Sequence, residues 1–156
     1  MAHWLMEKKI KDNNLKNIEV YSAGVFAEPG DRSTYSAIEV MEEYGVDLKD
    51  HGATHIRQSK IEEMDLVLCA TTSHKYSVLQ MYPSLIGKVY TMKQYVSTNE
   101  DEQDLDIKDP WGYDIETYRF CAIVYPNAAC KGNNVSESFS STASETTLPT
   151  FGFCVS

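Results

Sequence analysis

One acidic residue on a stiff loop is the strongest candidate for chemistry in this sequence. Asp109 precedes Pro110, which fixes its own φ angle and keeps the residue before it in extended geometry. A carboxylate held in this way, with the aromatic ring of Trp111 beside it, suits a general acid that protonates a leaving group. Asp-Pro pairs are also ordinary turn signals, so the neighbouring segments must decide between these two interpretations.

The composition excludes several classes of partner. A formal net charge of −9 over 156 residues and a pI near 4.8 argue against nucleic acid or an anionic membrane as a partner. No apolar run approaches membrane-spanning length. The four cysteines show no Cys-x-x-Cys pair, and no signal peptide precedes the cysteines. His51 and His55 lack a third metal ligand nearby. We therefore expect a reduced, soluble, cytoplasmic protein without a metal or cofactor.

Helical and strand patterns alternate along the first three quarters of the chain. Helices are predicted near residues 1–14, 36–44 and 72–82, and strands at 18–22, 65–70 and 88–92. The run at 65–70 is almost continuously apolar, as in a strand that is buried on both faces of a parallel sheet. A further helix starts near Asp114, and Pro126 is expected to end it. The pattern predicts an α/β fold with a small parallel sheet flanked by helices.

The composition changes after residue 122. Only three charged residues follow, namely Lys131, Glu137 and Glu145. Residues 133–150 are rich in Ser and Thr and have neither helical nor strand periodicity, which is typical of disorder. We therefore divide the chain into a domain at 1–122 and an atypical tail at 123–156, with the tail expected to be disordered.

Several motifs of the first part stand in the order found in one enzyme family. Together they resemble the low-molecular-weight protein-tyrosine-phosphatase family, which includes bacterial protein-arginine phosphatases. The resemblance covers roughly residues 1–122. The motifs are Ser22-Ala23-Gly24, Gly45-Val46-Asp47-Leu48 with His51, the strand at 65–68, Thr72-Ser73-His74-Lys75, the segment 89–93 and the Asp109 loop at 106–112.

The resemblance implies a two-step hydrolysis of a phosphorylated protein. A cysteine attacks phosphorus, Asp109 protonates the leaving group, and Asp109 then activates the water that hydrolyses the phosphocysteine. Trp111 would contact the substrate. Phosphotyrosine and phosphoarginine both remain open as substrates, although Val25-Phe26-Ala27 and residues 93–96 are more similar to the arginine-phosphatase branch.

The sequence departs from the family at the nucleophile. The family's cysteine is followed six positions later by an arginine, in a loop after the first strand, and this sequence contains no such pair. Met1-Ala2 aligns just past that arginine. Cys69 with Lys75 comes closest, but a lysine cannot form the bidentate contact that a guanidinium makes with phosphate. The resemblance thus implies an N-terminally truncated chain without the central first strand and the phosphate loop, and without a nucleophile.

Two consequences follow for folding and function. The strands at 18–22 and 65–70 are expected to flank an open gap, through which the chain could self-associate. As it stands, the chain is expected to be inactive. The alternatives are a non-catalytic binding or regulatory remnant, and a relative of arsenate reductase, which the lack of paired cysteines disfavours.

Overall fold

The computed structural model describes residues 1–16, 18–97, 104–128 and 150–154. Within these ranges, no helix has the length and apolar character needed to cross a membrane. Short 3-10 turns lie at Ile56–Gln58, Ile61–Glu63 and Pro83–Leu85. The other elements are α1 (Ala2–Asp12), β1 (Glu19–Ala23), α2 (Tyr35–Glu43), β2 (Leu66–Cys69), α3 (Thr72–Met81), β3 (Val89–Thr91), α4 (Met92–Val96), α5 (Ile115–Ala128) and β4 (Thr150–Cys154).

The four strands form one parallel sheet in the order β1-β4-β2-β3. The predicted strands at 18–22, 65–70 and 88–92 correspond to β1, β2 and β3, each within one or two residues. Helices lie on both faces of the sheet. The structure confirms the predicted α/β class with a small parallel sheet flanked by helices.

The last strand in the sequence occupies the centre of the sheet. β4 pairs with β1 from Glu19↔Thr150 to Ala23↔Cys154, and with β2 from Leu66↔Phe151 to Cys69↔Cys154. The expected open gap between β1 and β2 is therefore wrong, and so is the expected disorder of the tail at 150–154. Without β4, the facing edges of β1 and β2 would each present unpaired backbone N–H and C=O groups. Such edges favour the insertion of any segment that can pair with both.

The central position of β4 depends on a residue without a side chain. A Cβ atom added to Gly152 would lie 3.1 Å from Cγ of Met64, a side chain that is only 2% exposed. Glycine is disfavoured in strand interiors unless another group approaches closely, as Met64 does here. Residues 129–149, which include most of the predicted disordered segment, lie outside the described residues.

β2 separates two apolar cores. Leu66 and Leu68 contribute to a core that includes α1, α2 and α5, whereas Val67 and Cys69 contribute to a second core with α3. Alternate side chains of a strand point to opposite faces, so one continuous apolar run serves both cores. All four residues of β2 are buried, as the sequence pattern predicted.

Threonine hydroxyls fix where three helices begin. Thr34, Thr71 and Thr91 each accept a hydrogen bond from the backbone N–H three residues later, at 3.1–3.2 Å. Thr71 thus caps α3. Gly45 follows α2 with a φ of 74°, a left-handed conformation that favours glycine after a helix.

The helix α5 continues past Pro126 to Ala128, so the expectation that Pro126 ends it is wrong. A proline removes one backbone hydrogen bond, to the residue four positions earlier, and this loss is tolerated within the last turn. Two other contacts bind this turn: Lys9 Nζ donates to the Pro126 carbonyl oxygen at 3.1 Å, and Asn127 Nδ2 donates to the Ile123 carbonyl oxygen at 2.9 Å.

Candidate functional site

A cleft of about 560 Å³ opens beside the carboxyl end of β1. In parallel sheets, ligands usually bind outside the carboxyl ends of the strands. Five segments line the cleft: the start of α1 at Met1, the end of β1 with Gly24, residues within 26–37, residues within 51–54, and Asp109-Pro110-Trp111 together with Tyr118. The structure therefore brings Asp109 and Trp111 into one cleft with the Ser22-Ala23-Gly24 motif.

The loop that carries Asp109 is attached to the sheet by its first residues. The Ile107 N–H donates to the Ala70 carbonyl oxygen at 2.9 Å, and the Ile107 side chain is 3% exposed. Asp106 Oδ1 accepts hydrogen bonds from the N–H of Thr72 at 2.6 Å and from its hydroxyl at 2.7 Å. These contacts hold the loop at the end of β2 and the beginning of α3.

Asp106 is the residue of this loop whose role the sequence analysis missed. It binds the first residue of α3 and satisfies an N–H that has no partner inside the helix. A carboxylate beside the first turn of a helix is also favourable for the helix dipole. The Asp-Ile-x-Asp-Pro spacing therefore contains both an anchor and a candidate acid.

The carboxylate of Asp109 is oriented by its own backbone turn. Its Oδ1 accepts a hydrogen bond from the Trp111 N–H at 2.9 Å, and the Tyr113 N–H donates to the Pro110 carbonyl oxygen at 3.0 Å. Gly112 has a φ of 79°, which this turn requires. The side chain of Trp111 is 74% exposed. Asp109 thus lies at the rim of the cleft beside an exposed aromatic ring.

The lining of the cleft carries mixed charge. Arg32 is exposed there, and no salt bridge to it occurs among the described residues. Its backbone pairs with Gly52, which brings the segments around residues 30 and 52 together. Glu28, Asp31 and Asp109 line the same cleft. Three carboxylates and one guanidinium do not form the cationic environment that a phosphate dianion prefers.

The two described thiols are both buried. Cys69, in β2, and Cys121, in α5, are each 0% exposed. Cys121 Sγ donates a hydrogen bond to the Lys108 carbonyl oxygen at 3.2 Å, and so contacts the loop of Asp109 from behind. Burial raises the pKa of the Cys121 thiol, and the negative charge of Asp109 adds to this effect. The burial of both thiols and the raised pKa of Cys121 do not suit a nucleophile.

The two histidines considered as metal ligands have other contacts. His51 lines the cleft, and its Nδ1 accepts a hydrogen bond from Trp4 Nε1 at 3.2 Å. His55 Nδ1 accepts from the Arg57 N–H at 3.1 Å at the start of a 3-10 turn. In the described part of the chain, no three His, Cys, Asp or Glu side chains are grouped so that they could hold a metal ion.

His74 is a further group near the Asp109 loop. Its Nδ1 is buried and has no hydrogen-bond partner among the described atoms. Burial lowers the pKa of His74, while the negative charges of Asp109 and Asp106 oppose this shift. The sequence could not indicate this proximity, because the distance from His74 to the Asp109 loop depends on how α3 packs.

Comparison with known proteins agrees with this geometry. The low molecular weight phosphotyrosine protein phosphatase family matches residues 1–128. A protein-arginine-phosphatase from Geobacillus stearothermophilus is 36% identical over 119 residues, which are 76% of this chain and 74% of that protein. A probable low molecular weight protein-tyrosine-phosphatase from Ralstonia nicotianae is 30% identical over 106 residues, 68% of each chain.

A solved structure extends the similarity to the whole fold. It is a YwlE arginine phosphatase in which a serine replaces the active-site cysteine and carries a phosphoryl group. The TM-score is 0.78 at 27% sequence identity, with 91% of this chain and 90% of that chain covered. The chain belongs to the low molecular weight phosphotyrosine protein phosphatase family.

Proposed function

We propose that the cleft belongs to a protein phosphatase in which Asp109 is the general acid and Trp111 contacts the phosphorylated residue of a protein substrate. The observation that supports this most is the anchored Asp109-Pro110-Trp111 turn at the rim of the cleft. A general acid must be held within hydrogen-bond reach of the leaving atom. The contacts of Asp106 and Ile107 provide such a fixed position.

The reaction proceeds through a phosphorylated enzyme. A thiolate forms a bond to phosphorus, the bond from phosphorus to the leaving oxygen or nitrogen breaks, and Asp109 gives its proton to that leaving atom. Asp109 then removes a proton from water as the water attacks the phosphocysteine. The phosphorylated active-site serine in the YwlE variant supports a covalent intermediate in that relative.

Phosphoarginine is the substrate class that we favour. Two protein-arginine-phosphatases are 36% and 33% identical to this chain, while the Ralstonia nicotianae tyrosine-phosphatase is 30% identical. Val25-Phe26-Ala27 lies next to the cleft, and Phe26, which lines it, is 78% exposed. The exposed aromatic rings of Phe26 and Trp111 both line the cleft, which suits the planar guanidinium of phosphoarginine as well as a tyrosine ring.

The 156-residue chain does not catalyse this reaction by itself. No cysteine in its sequence is followed by an arginine six positions later, and Cys69 and Cys121 are buried. The backbone of Cys154 ends the central strand, in register with Ala23 and Cys69. A phosphate-binding loop needs several consecutive backbone N–H groups and an arginine.

The experiment is a phosphatase assay of the purified chain with p-nitrophenyl phosphate and with a phosphoarginine peptide. We expect no turnover above the rate without protein. The Cys69→Ser and Cys154→Ser variants are the matched controls. Turnover that either substitution abolishes would identify a nucleophile and contradict the proposed inactivity.

A binding role without hydrolysis is the second candidate. Arg32 favours it, because this cation faces the cleft and forms no salt bridge among the described residues. The three carboxylates of the cleft oppose it. Titration of the chain with phosphorylated and unphosphorylated forms of one peptide, followed by NMR chemical shifts, distinguishes the two. Shifts at Arg32 with the phosphorylated form alone would support binding, and identical shifts would exclude it.

A further inference from the structure

A serine, a histidine and a glutamate form a hydrogen-bonded row beside the cleft. His3 Nδ1 lies 3.0 Å from Ser22 Oγ, and His3 Nε2 lies 3.2 Å from Glu7 Oε1. The side chain of His3 is 16% exposed and that of Glu7 is 46% exposed. The phosphatase proposal uses none of these three side chains.

The row results from two simple placements. His3 and Glu7 are four residues apart on α1, so their side chains are neighbours on one face of the helix. Ser22 is near the end of β1, which packs against α1. Ala2, Leu5, Met6 and Ile10 of α1 are buried and fix the orientation of the helix.

The hydrogen bonds also determine where the imidazole proton lies. An ionised carboxylate only accepts hydrogen bonds, so Glu7 requires the proton on Nε2 of a neutral His3. Nδ1 then has a free lone pair and accepts the hydroxyl proton of Ser22. This is the arrangement of a nucleophile, a base and a group that orients the base.

Two rings hold the imidazole in place. The Trp4 ring stacks on the His3 ring, with centroids 5.1 Å apart and an angle of 18° between the planes. The His51 ring meets His3 edge-on at 6.4 Å, and His51 is itself bound by Trp4. A base with few accessible rotamers loses little entropy when it accepts a proton in a fixed direction.

Ser22 is accessible to a ligand, because it lines the cleft of about 560 Å³ together with Asp109 and Trp111. α1 begins at the same cleft, and no side chain caps its N-terminus. The first backbone N–H groups of a helix have no intrahelical partner and can stabilise an oxyanion that forms beside them. Ser22 and the N-terminal end of α1, with its candidate oxyanion donors, therefore line the same cleft.

We propose that Ser22, His3 and Glu7 form an acyl-transfer site that hydrolyses small carboxylic esters with an aromatic leaving group. Ser22 Oγ attacks the carbonyl carbon while its proton passes to His3 Nδ1. The bond from carbon to the leaving oxygen breaks, and His3 returns the proton to that oxygen. Water then attacks the acyl-serine and gives a proton to His3. The bond from the acyl carbon to Ser22 Oγ breaks, His3 returns the proton to Oγ, and the carboxylic acid leaves. This activity is separate from phosphate chemistry and does not depend on a phosphatase nucleophile.

The test uses the full chain with p-nitrophenyl acetate and with a fluorophosphonate probe that labels activated serines. We expect ester hydrolysis, and labelling that mass spectrometry places on Ser22. Ser22→Ala and His3→Gln should each lower the rate by about 10²–10⁴-fold. Ser33→Ala is the matched control, since Ser33 lines the same cleft and has no histidine bonded to it among the described contacts; its rate should not change.

The pH profile distinguishes a catalytic His3 from one that only supports the fold. Burial lowers the pKa of His3, and the charge of the Met1 α-amino group also lowers it. The hydrogen bond and charge of Glu7 raise this pKa. His51 is the other titratable neighbour. The rate should fall as the pH drops through the pKa of His3, because protonated imidazole is not a base. Glu7→Gln removes a charge that raises this pKa, so the fall should move to lower pH.

Three results would overturn the proposal. Hydrolysis that persists in Ser22→Ala would mean that the imidazole, not the serine, attacks the ester. Labelling on Ser33 or on no serine would exclude an activated Ser22. A pH profile unchanged in Glu7→Gln would exclude His3 as the base. Circular dichroism of each variant checks that the loss is not unfolding, and labelling of the unsubstituted chain tests Ser22 without any substitution.

Discussion

The rim of the cleft and the centre of the sheet are built in opposite ways. The turn at Asp109 comes from consecutive residues, lies inside the family match, and is closed by hydrogen bonds within its own sequence. β4 comes from Thr150–Cys154, beyond the family match at residues 1–128, and occupies the position between β1 and β2. One region is determined locally, and the other is determined by its neighbours.

The difference lies in what each position demands. A general-acid loop needs a carboxylate in a particular place, so it requires Asp109, the proline after it and the anchor Asp106. The centre of a parallel sheet needs backbone N–H and C=O groups on both sides, and many sequences supply these. Its side-chain requirement is only steric, as the contact of Gly152 with Met64 illustrates.

The largest expected effect concerns the rim. A family strand and phosphate loop grafted in front of Met1 would test Asp109, provided that the chain ends after Ala128, because β4 fills the position that the grafted strand must enter. In the grafted chain, Asp109→Asn keeps the shape of the side chain and removes its proton. We expect the chemical step to slow by about 10²–10⁴-fold, most strongly for substrates with poor leaving groups.

The matched control for this substitution is Asp104→Asn. Asp104 belongs to the same acidic stretch, is bound by Lys93 at 2.9 Å, and does not line the cleft. Its substitution should leave the rate nearly unchanged. An equal loss of rate in both variants would contradict the assignment of Asp109 as the acid. So would a loss of rate in Asp109→Asn that does not depend on the leaving group.

The sequence predicted the locally determined parts of this molecule and missed the others. The apolar run at β2 predicted a strand buried on both faces, and the proline after Asp109 predicted a stiff loop, because both patterns act over a few residues. β4 was missed because Ser and Thr dominate the residues before it, and nothing local indicates a distant vacant position. The anchor role of Asp106 was missed because it depends on Thr72, which is 34 residues away in the chain.

The second prediction tests whether β4 fills the centre as described. Gly152→Val would place a side chain against Met64 and Val67, and overpacking of this kind typically costs about 1–3 kcal/mol of unfolding free energy. Met64→Ala removes the atom that lies 3.1 Å from the added Cβ. In a Met64→Ala background, Gly152→Val should therefore cost clearly less, as measured by urea unfolding of the four chains.

The double-mutant cycle isolates this contact from other effects of each substitution. The two single variants serve as controls for the loss of the methionine and for the change in strand propensity. Strictly additive free energies would mean that Gly152 and Met64 are not in contact, and β4 would then lie elsewhere. The same conclusion would follow if Gly152→Val cost more unfolding free energy in the Met64→Ala background than in the unsubstituted chain.

The smallest expected effect distinguishes the anchor of the loop from its candidate acid. Asp106→Ala removes the acceptor for both hydrogen bonds of Thr72, and the loss of such a helix-capping carboxylate typically costs about 0.5–2 kcal/mol. Asp106→Asn should cost less, because the amide oxygen still accepts a hydrogen bond. Urea unfolding of the variants measures both values.

Asp109→Ala is the matched control, because Asp109 is exposed, lies three residues away and accepts a hydrogen bond from the Trp111 N–H within its own turn. Substitutions at exposed positions away from special structural features usually change stability by within about 0.5 kcal/mol. We therefore expect substitution of Asp106 to lower the free energy of unfolding. Substitution of Asp109 should instead slow the chemical step of the grafted enzyme. If Asp109→Ala destabilised the chain as much as Asp106→Ala, the rim would not separate an anchor from an acid. The turn at Asp109 would then be a structural element, because a residue kept for catalysis need not contribute to stability.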